Sequence, residues 1–196
     1  MTGDLRFTEI EHKYVVDDRF DLRRFRDALA RLNPIRTASV RVRDRYYLTE
    51  GGRSRRFVIR HRYDAELHHL TLKALGADAE VRAEVNLDLG HHAGDQAAQV
   101  DAFLDRMGVE WRGTIDKDVE VWDFPDSEVV CYTASAGSRS VRCVEFEAKR
   151  AGSIGAALAT LQVYERATGF GDAVRSPLAL VQMLFPDAAT LFGDSP

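Results

Sequence analysis

Two copies of one short pattern, Glu-x-Glu-x-Lys, lie far apart in the sequence, over Glu9–Lys13 and Glu145–Lys149. In an extended strand successive side chains point to opposite faces, so each copy places two carboxylates and one ammonium group on the same face. With twelve Glu and four Lys in the chain, composition alone predicts roughly 0.01 chance occurrences of this spacing. The repeat therefore indicates a charged strand face with a chemical role. An exposed face with a cross-strand ion pair is the alternative for either copy taken singly.

Lysine is rare in this chain, since only four of its 27 basic residues are lysine. All four lie in segments that read as strands: Lys13, Lys73, Lys117 and Lys149. A lysine ammonium is a compact point charge and differs in this respect from the planar arginine fork. The retention of lysine at these positions indicates a chemical function for them.

Arginine also recurs at strand spacing. Arg60 and Arg62 share a face of one predicted strand, and Arg82 shares a face with Glu84 and Asn86 on another. An Arg-x-Arg face is often only solvated. Beside carboxylate-rich strands, however, it supplies forked donors that bind phosphate oxygens.

Hydrophobic periodicity and turn residues divide the chain into alternating strands and helices. Strands are predicted over residues 7–16, 39–49, 55–63, 70–75, 80–89, 115–124, 128–133 and 141–150. Helices are predicted from Asp18 or Asp21 to Leu32 and over 95–107, 153–168 and 176–185. Gly51-Gly52 is predicted to be a turn between two strands. The inward face of the strand over 115–124 stays undetermined, because both of its faces carry charged residues.

Strand faces made of Glu, Arg, Lys and Asn cannot stack in a dry interior, because unpaired buried charge costs too much free energy. A closed sheet around a wet lumen, with its apolar faces covered outside by helices, avoids this cost. We therefore predict an α+β protein with a closed, eight-stranded antiparallel β tunnel and a polar, charged lumen. One domain is expected over residues 1–186, followed by a loosely held tail over 187–196.

Two kinds of chemistry would meet in such a lumen. Carboxylates are hard oxygen ligands suited to Mg²⁺ or Mn²⁺, and the candidates are Glu9, Glu11, Glu145 and Glu147. The basic candidates are Lys13, Arg60, Arg62, Lys73 and Arg82. Divalent metal together with several cations binds polyphosphate and stabilises the charge that develops when a phosphoryl group leaves.

The order of these residues along nearly the whole chain resembles the CYTH-type triphosphate tunnel metalloenzymes. This superfamily contains thiamine triphosphatases, inorganic triphosphatases and class IV adenylate cyclases. The matching elements are Glu9-x-Glu11-x-Lys13, a Tyr-containing strand at Asp44–Tyr47, Arg60-x-Arg62, Lys73, Arg82-x-Glu84, Lys117, Glu145-x-Glu147 and Arg175-Ser176. Together they are specific, whereas any one of them is weak.

The resemblance implies roles for the matching residues. The triphosphate would be bound by Lys13, Arg60, Arg62, Lys73, Arg82 and Arg175. Metal would be bound principally by Glu145 and Glu147, with Glu9 or Glu11, and a second metal would position the attacking water. Catalytic roles are implied for Glu84 and Lys117, the latter as a group that orients or deprotonates the water.

The chain departs from the family pattern at two positions. Asn86 stands where the family usually repeats an acidic residue, and Val119 stands where it often has Arg after Lys-x. The first change removes metal-binding charge and the second removes a phosphate-binding fork.

We expect a divalent-metal-dependent hydrolase of an inorganic or organic triphosphate. A class IV adenylate cyclase and a non-catalytic polyphosphate or nucleotide-binding module are the alternatives. The net charge of −4 gives no bulk attraction to nucleic acid or to an anionic membrane. No apolar run reaches membrane-spanning length and the N-terminus is not a signal peptide, so we expect a cytoplasmic monomer or homodimer that binds a small triphosphate.

The two cysteines, Cys131 and Cys143, do not form a disulfide framework, and we expect them to be reduced. A hairpin centred on Gly137 would place them opposite each other on adjacent strands. A disulfide formed on oxidation is the alternative for that arrangement.

Overall fold

The computed structural model describes residues 5–75 and 80–192 of the chain. In these ranges the strands are β1 (Thr8–Val16), β2 (Arg36–Thr49), β3 (Phe57–Tyr63), β4 (His68–Ala74), β5 (Val81–Asp88), β6 (Val109–Asp123), β7 (Ser127–Ala136) and β8 (Arg139–Ala148). The α-helices are α1 (Leu22–Arg31), α2 (Glu50–Arg55), α3 (Ala97–Asp105), α4 (Ile154–Thr168) and α5 (Leu180–Leu184), followed by a 3₁₀ helix (Pro186–Phe192).

The eight strands form one closed antiparallel barrel in the order β1-β5-β4-β3-β2-β6-β7-β8. β1 closes it, because it pairs with β5 through Glu9 and Arg82 and with β8 through Lys13 and Glu145. The barrel confirms the predicted α+β class and the closed eight-stranded tunnel.

A large hydrophobic core lies outside the barrel wall, beneath α1 and α4. Phe25 and Leu29 of α1 and Leu161 of α4 pack against Trp122 and Phe146, which project outward from their strands. Because side chains alternate along a strand, the same strands turn their charged residues toward the lumen.

One end of the barrel is apolar and is closed by α5. Leu180, Val181 and Leu184 of this helix pack against inward-facing side chains that include Leu48 and Ile115. The charged part of the lumen therefore lies between this apolar end and the opposite mouth.

The chain beyond α5 continues in contact with this apolar end. The 3₁₀ helix reaches Phe192, and the side chain of Ala188 is only 7% exposed in the same cluster. Leu191 packs against the same cluster, while residues 193–196 of the predicted tail lie outside the described residues.

The segment Gly51-Gly52 is not the predicted tight turn, because it forms part of α2. The Thr49 hydroxyl caps this helix by accepting a hydrogen bond of 2.9 Å from the Gly52 backbone N–H. A Cβ atom at Gly52 would lie 2.6 Å from the Phe57 carbonyl oxygen, so only glycine fits there. A capped glycine pair next to a strand can begin a helical turn as readily as a hairpin.

The predicted helix start at Ser176-Pro177 is also wrong. α5 begins at Leu180, and the Gln182 side chain accepts a hydrogen bond of 2.6 Å from the Ala179 backbone N–H. The Ser176 N–H instead donates to the Lys13 carbonyl at 2.7 Å, which holds this segment along β1.

None of the described helices is long and apolar enough to cross a membrane.

The hairpin register excludes the proposed pairing of the two cysteines. Cys131 lies opposite Val144, and Cys143 lies opposite Tyr132. A shift of one residue puts the two thiols on opposite faces of the sheet. Both are free and buried, and burial raises the pKa of each to about 11.

Candidate active site

The barrel encloses a cavity of about 370 Å³. Its lining brings together every predicted site residue except Arg175, namely Glu9, Glu11, Lys13, Arg60, Arg62, Lys73, Arg82, Glu84, Lys117, Glu145 and Glu147. These side chains come from six strands, β1, β3, β4, β5, β6 and β8, and the alternation along each strand aims them at the same space.

The inward face of β6 is now defined. Lys117 and Val119 line the cavity. Asp116 and Asp118 point outward, where they pair with Arg43 at 2.7 Å and Arg41 at 3.1 Å. Both departures from the family pattern, Val119 and Asn86, therefore lie in the lumen.

Each carboxylate of the first Glu-x-Glu-x-Lys copy contacts two basic side chains. Glu9 accepts from Lys73 Nζ at 2.9 Å and from Arg82 Nε at 2.9 Å. Glu11 contacts Arg82 and lies 3.3 Å from Lys13 Nζ. Burial and the Glu9 charge alone would raise the pKa of Glu11, but Lys13 and Arg82 outweigh them, so that the pKa is lowered.

The second copy has a different environment. Glu145 accepts a hydrogen bond of 2.7 Å from the Tyr132 hydroxyl and lies 3.1 Å from Lys13 Nζ. Glu147 lies between two further carboxylates in register, Glu11 on β1 and Glu128 on β7. Sequence reasoning did not include Glu128 in the site, because only the pairing of β7 with β8 places it there.

Glu147 forms no ion pair with a cation of the described residues. Burial raises its pKa well above the ordinary carboxyl value, and the nearby charges of Glu9, Glu11 and Glu128 raise it further. A buried carboxylate among carboxylates is stabilised either by a proton or by a bound cation. Added positive charge beside Glu147 would therefore be stabilising.

Lys149, the last residue of the second copy, does not complete the charged face as Lys13 does. Its ammonium group pairs with Asp123 at the end of β6, and its side chain is 30% exposed. β8 ends at Ala148, so the strand alternation that directs Glu145 and Glu147 inward no longer applies one residue later.

Arg60 is only weakly paired with other side chains of the lumen. One of its terminal nitrogens donates to Thr71 Oγ1 at 3.2 Å, and Glu84 lies 3.9 Å away. Its Nε is buried without a hydrogen-bond acceptor in the described part of the chain. Such an orphaned donor is costly unless a ligand accepts its hydrogen bond.

Glu84 is paired with Lys73 at 2.7 Å. Burial would raise its pKa, but Lys73 and Arg60 lower the pKa of Glu84 to about 2. A carboxylate with such a pKa is a weak base near neutral pH.

Asp44 is a further site residue that the motif assignment did not select. It is fully buried, accepts two hydrogen bonds from Arg62 at 2.7 and 2.8 Å, and lies 2.8 Å from Lys117 Nζ. Burial opposes its ionisation, but Lys117 and Arg62 hold its pKa well below the usual range. The available signal was a carboxylate on a strand face otherwise made of Val42 and Tyr46.

Arg175 does not reach the lumen. It lies on the outer side of β1, where it contacts Glu80 at 2.7 Å, the Tyr14 hydroxyl at 3.3 Å and Glu165 of α4 at 3.6 Å. Glu165 is buried and also binds His12 Nδ1 at 2.5 Å. The placement of Arg175 gives no support to its predicted role in substrate binding and indicates that it fastens the C-terminal segment to the barrel.

The donor set of the lumen fits a hard divalent cation, although the carboxylates are held apart. Among residues 5–75 and 80–192, no three Asp, Glu, His or Cys side chains are grouped closely enough to hold a metal ion. Cations stand between them, since Lys13 bridges Glu11 and Glu145 and Arg82 bridges Glu9 and Glu11. Carboxylate oxygens are the ligands that Mg²⁺ and Mn²⁺ prefer, and such an ion, if bound, would relieve the crowding of carboxylates around Glu147.

Comparisons with known proteins give likenesses of structure. No family model matches the chain, and no curated protein matches it either. Among solved structures, the chain is similar to PH1012 from Pyrococcus horikoshii OT3, with a TM-score of 0.71 and 13% identity over 90% of this chain and 99% of that one.

Two other similar structures belong to proteins named for nucleotide chemistry. A candidate adenylate cyclase from Bacillus halodurans aligns with a TM-score of 0.60 and 19% identity, over 90% of this chain and 97% of that one. HpAC1 from Hippeastrum, a candidate adenylyl cyclase with a dominant triphosphatase activity, aligns with a TM-score of 0.52 and 14% identity, over 83% and 88%. At these identities the shared feature is the tunnel fold that the sequence resemblance implied.

Proposed function

We propose that this protein is a divalent-metal-dependent hydrolase of a triphosphate and belongs to the CYTH-type tunnel enzymes. The observation that supports this most strongly is the position of Glu147. It is a carboxylate with a raised pKa between Glu11 and Glu128, inside a lumen in which Glu9, Glu11, Glu84 and Glu145 are each paired with lysine or arginine. A closed tunnel with both an unneutralised acidic row and a set of cations suits the joint binding of metal and polyphosphate.

Metal and triphosphate would bind together through an exchange of partners. In the structure, Lys13, Lys73 and Arg82 are paired with carboxylates, so a polyphosphate alone would have to compete for them. If a divalent ion takes over the carboxylates, the three cations become available to phosphate oxygens. Arg60, with its buried free Nε, needs no such release and is the expected first phosphate contact.

Glu9, Glu11, Glu145 and Glu147 are the residues that would hold Mg²⁺ or Mn²⁺. When bound, the ion would supply positive charge beside the phosphate oxygens, where negative charge develops as a phosphoryl group leaves. The Tyr132 hydroxyl orients Glu145 by its hydrogen bond of 2.7 Å. The assignment of Glu147 rests on its having no ion pair with a lysine or arginine among the described residues and on its place between Glu11 and Glu128.

Lys117 and Glu84 take positioning roles in this proposal. Lys117 is held by Asp44 at 2.8 Å beside the Tyr132 ring, which fixes its ammonium group in the lumen wall as a hydrogen-bond donor for the attacking water. With a pKa of about 2, Glu84 is poorly suited to take a proton. It holds Lys73 and Arg60 in place for the phosphates.

A product assay with tripolyphosphate, thiamine triphosphate and ATP in the presence of Mg²⁺ or Mn²⁺ tests the reaction. Release of orthophosphate supports the proposed hydrolase. Pyrophosphate with cyclic AMP from ATP would instead identify the cyclase alternative, and binding without product would identify a binding module.

The metal assignment is tested by Glu147→Gln, which removes one charged ligand and changes the shape of the side chain little. We expect it to lower divalent-dependent turnover by about 100-fold or more. The matched control is Glu110→Gln on the outer face of β6, where Glu110 only pairs with Arg53 near the surface. Equal turnover in the two folded variants would refute the metal role of Glu147.

A further inference from the structure

One wall of the lumen is apolar. Five valines line the cavity from three adjacent strands: Val40 and Val42 of β2, Val119 and Val121 of β6, and Val130 of β7. The register joins them into one surface, because Val40 lies opposite Val119 and Val121 lies opposite Val130. We refer to these five residues as the valine wall.

The charged side chains come mostly from the other strands. In the closed order of eight strands, β5 lies across the barrel from β6, and β1 lies across from β2. The valine wall therefore faces the strands that carry Arg82, Glu84, Glu9 and Glu11 across the lumen. Of the charged residues beside the wall, Lys117 is paired with Asp44, whereas Glu128 and Glu145 adjoin Val130 at its β7 side.

The valine wall is only partly buried. Val42 and Val121 are nearly buried, whereas Val40, Val119 and Val130 keep part of their surface open to the lumen. α5 covers the neighbouring apolar end of the barrel, where Tyr46 and Leu48 pack, and so leaves the wall itself as a lining of the cavity.

A bare polyphosphate matches such a wall badly. Its oxygens are anionic on every side, and an oxygen placed against valine would lose water without gaining a hydrogen-bond donor. An apolar group in the same place releases water from both surfaces and is favoured by the hydrophobic effect. The two walls together therefore match a ligand with an anionic part and an apolar part.

We infer that the ligand of this tunnel is an organic triphosphate whose apolar substituent lies against the valine wall while its phosphates face the basic strands. This inference rests on the proposed function and narrows its substrate class. It assigns Val40 and Val119 as specificity-determining residues that discriminate against inorganic tripolyphosphate.

The test compares the ligand affinities of Val119→Thr and Val40→Thr. Each variant keeps the branched shape of the side chain but has a hydroxyl group in place of one methyl group. Isothermal titration calorimetry with Mg²⁺ gives the dissociation constants for ATP, thiamine triphosphate and tripolyphosphate, so the readout does not depend on turnover. Val163→Thr is the matched control, because Val163 is exposed on the outer helix α4. Circular dichroism checks that each variant is folded.

We expect the affinity for at least one organic triphosphate, relative to that for tripolyphosphate, to fall about threefold or more in either lumen variant and to stay unchanged in the control. A smaller change in both lumen variants, or an equal change for all ligands, overturns the inference. If neither variant folds, the dissociation constants of the wild-type protein provide the test. Tighter binding of tripolyphosphate than of both organic ligands then overturns the inference.

The two proposals fail in different ways. Binding with the expected preference but without release of orthophosphate refutes the hydrolase and leaves the valine wall in place. Hydrolysis without the preference refutes only the inference about the wall. Absence of binding by all three ligands refutes both.

Discussion

The two Glu-x-Glu-x-Lys copies have the same spacing but different surroundings. In the first copy, Glu9 and Glu11 each contact two cations. In the second, Glu145 shares Lys13 with Glu11, and Glu147 has only carboxylates beside it in register. One copy is thus a neutralised ion-pair network, and the other keeps an acidic position that can bind an added cation.

This difference shows that the spacing within a strand decides only which face a side chain takes. The neighbouring strands decide whether a carboxylate meets a cation or another carboxylate. β1 has β5 on one side, with Arg82 and Glu84, whereas β8 has β7, with Glu128 and Val130. The same motif is therefore mainly structural in one place and suited to metal binding in the other.

Removal of Lys13 should break the connection between the two copies and have the largest effect. Lys13 is 7% exposed and bridges Glu11 and Glu145, so Lys13→Ala leaves several buried carboxylates without this cation. We expect the free energy of unfolding to fall by about 3–5 kcal/mol in urea titrations with a chelator present.

Lys149→Ala is the matched control, because Lys149 holds the same position in the other copy but forms a partly exposed pair with Asp123. Its cost should stay below about 1 kcal/mol. Similar costs for the two lysines would mean that the two copies have equivalent surroundings.

The pH dependence of stability should come from the neutralised network. Glu84 shares Lys73 with Glu9, and its pKa is lowered from 4.5 to about 2. Its stabilising contribution is present above pH 4.5 and is lost as the pH falls toward 2, because the folded state must then take up a proton that the unfolded state has already bound. The loss should reach about 3 kcal/mol.

Urea titrations at several pH values between 5.5 and 2 measure this effect. In Glu84→Gln the part of the decrease in unfolding free energy that Glu84 causes as the pH falls should be absent. In Glu147→Gln the loss of stability below about pH 4.5 should be retained, because in that range Glu147 is protonated in the folded state, where its pKa is raised, and largely protonated in the unfolded state, where its pKa is 4.5. A wild-type slope in Glu84→Gln would show that Glu84 does not carry the acid sensitivity.

Substitution of Glu by the neutral Gln should affect the stability of the chelated protein differently in the two copies. Glu11→Gln weakens charge-assisted contacts with Lys13 and Arg82, and we expect a loss of about 2 kcal/mol in the chelated protein. Glu147→Gln puts a neutral amide in place of a carboxyl group whose ionisation burial and the neighbouring carboxylates oppose, so its melting temperature should equal or exceed that of the wild type. Scanning calorimetry of both variants makes the comparison, and a lower melting temperature for Glu147→Gln than for Glu11→Gln would reverse the assignment.

The tunnel and most of its lining could be predicted from sequence because the lumen-facing positions alternate strictly with apolar ones. On β5, for example, Arg82, Glu84 and Asn86 alternate with Val85 and Leu87. A strand of this kind has only one arrangement in which its charges avoid the outer core. β6 did not reveal its inward face, because Asp116 and Asp118 form exposed ion pairs with β2 and make both faces polar.

The charge balance within the lumen could not be predicted in the same way. It depends on cross-strand register, which brings Glu128 beside Glu147 and puts Asp44 between Arg62 and Lys117. Alternation within one strand excludes a shift of one residue but leaves shifts of two residues open, so it does not determine which side chains meet across neighbouring strands. The position of Arg175 outside the cavity lining could not be predicted for a related reason, since it depends on contacts with Glu165 of α4 and Glu80, far away in sequence.

The closure of the barrel by β1 has a consequence for how the chain folds. β1 is the first strand, but one of its two partners is β8, and His12 contacts Glu165 across 153 residues. Until β8 is in place, β1 and β7 have open hydrogen-bonding edges on which other chains could pair. Contacts between such distant segments are slow to form, so we expect barrel closure to be the late, rate-limiting step and partly folded chains to be the form most prone to aggregation.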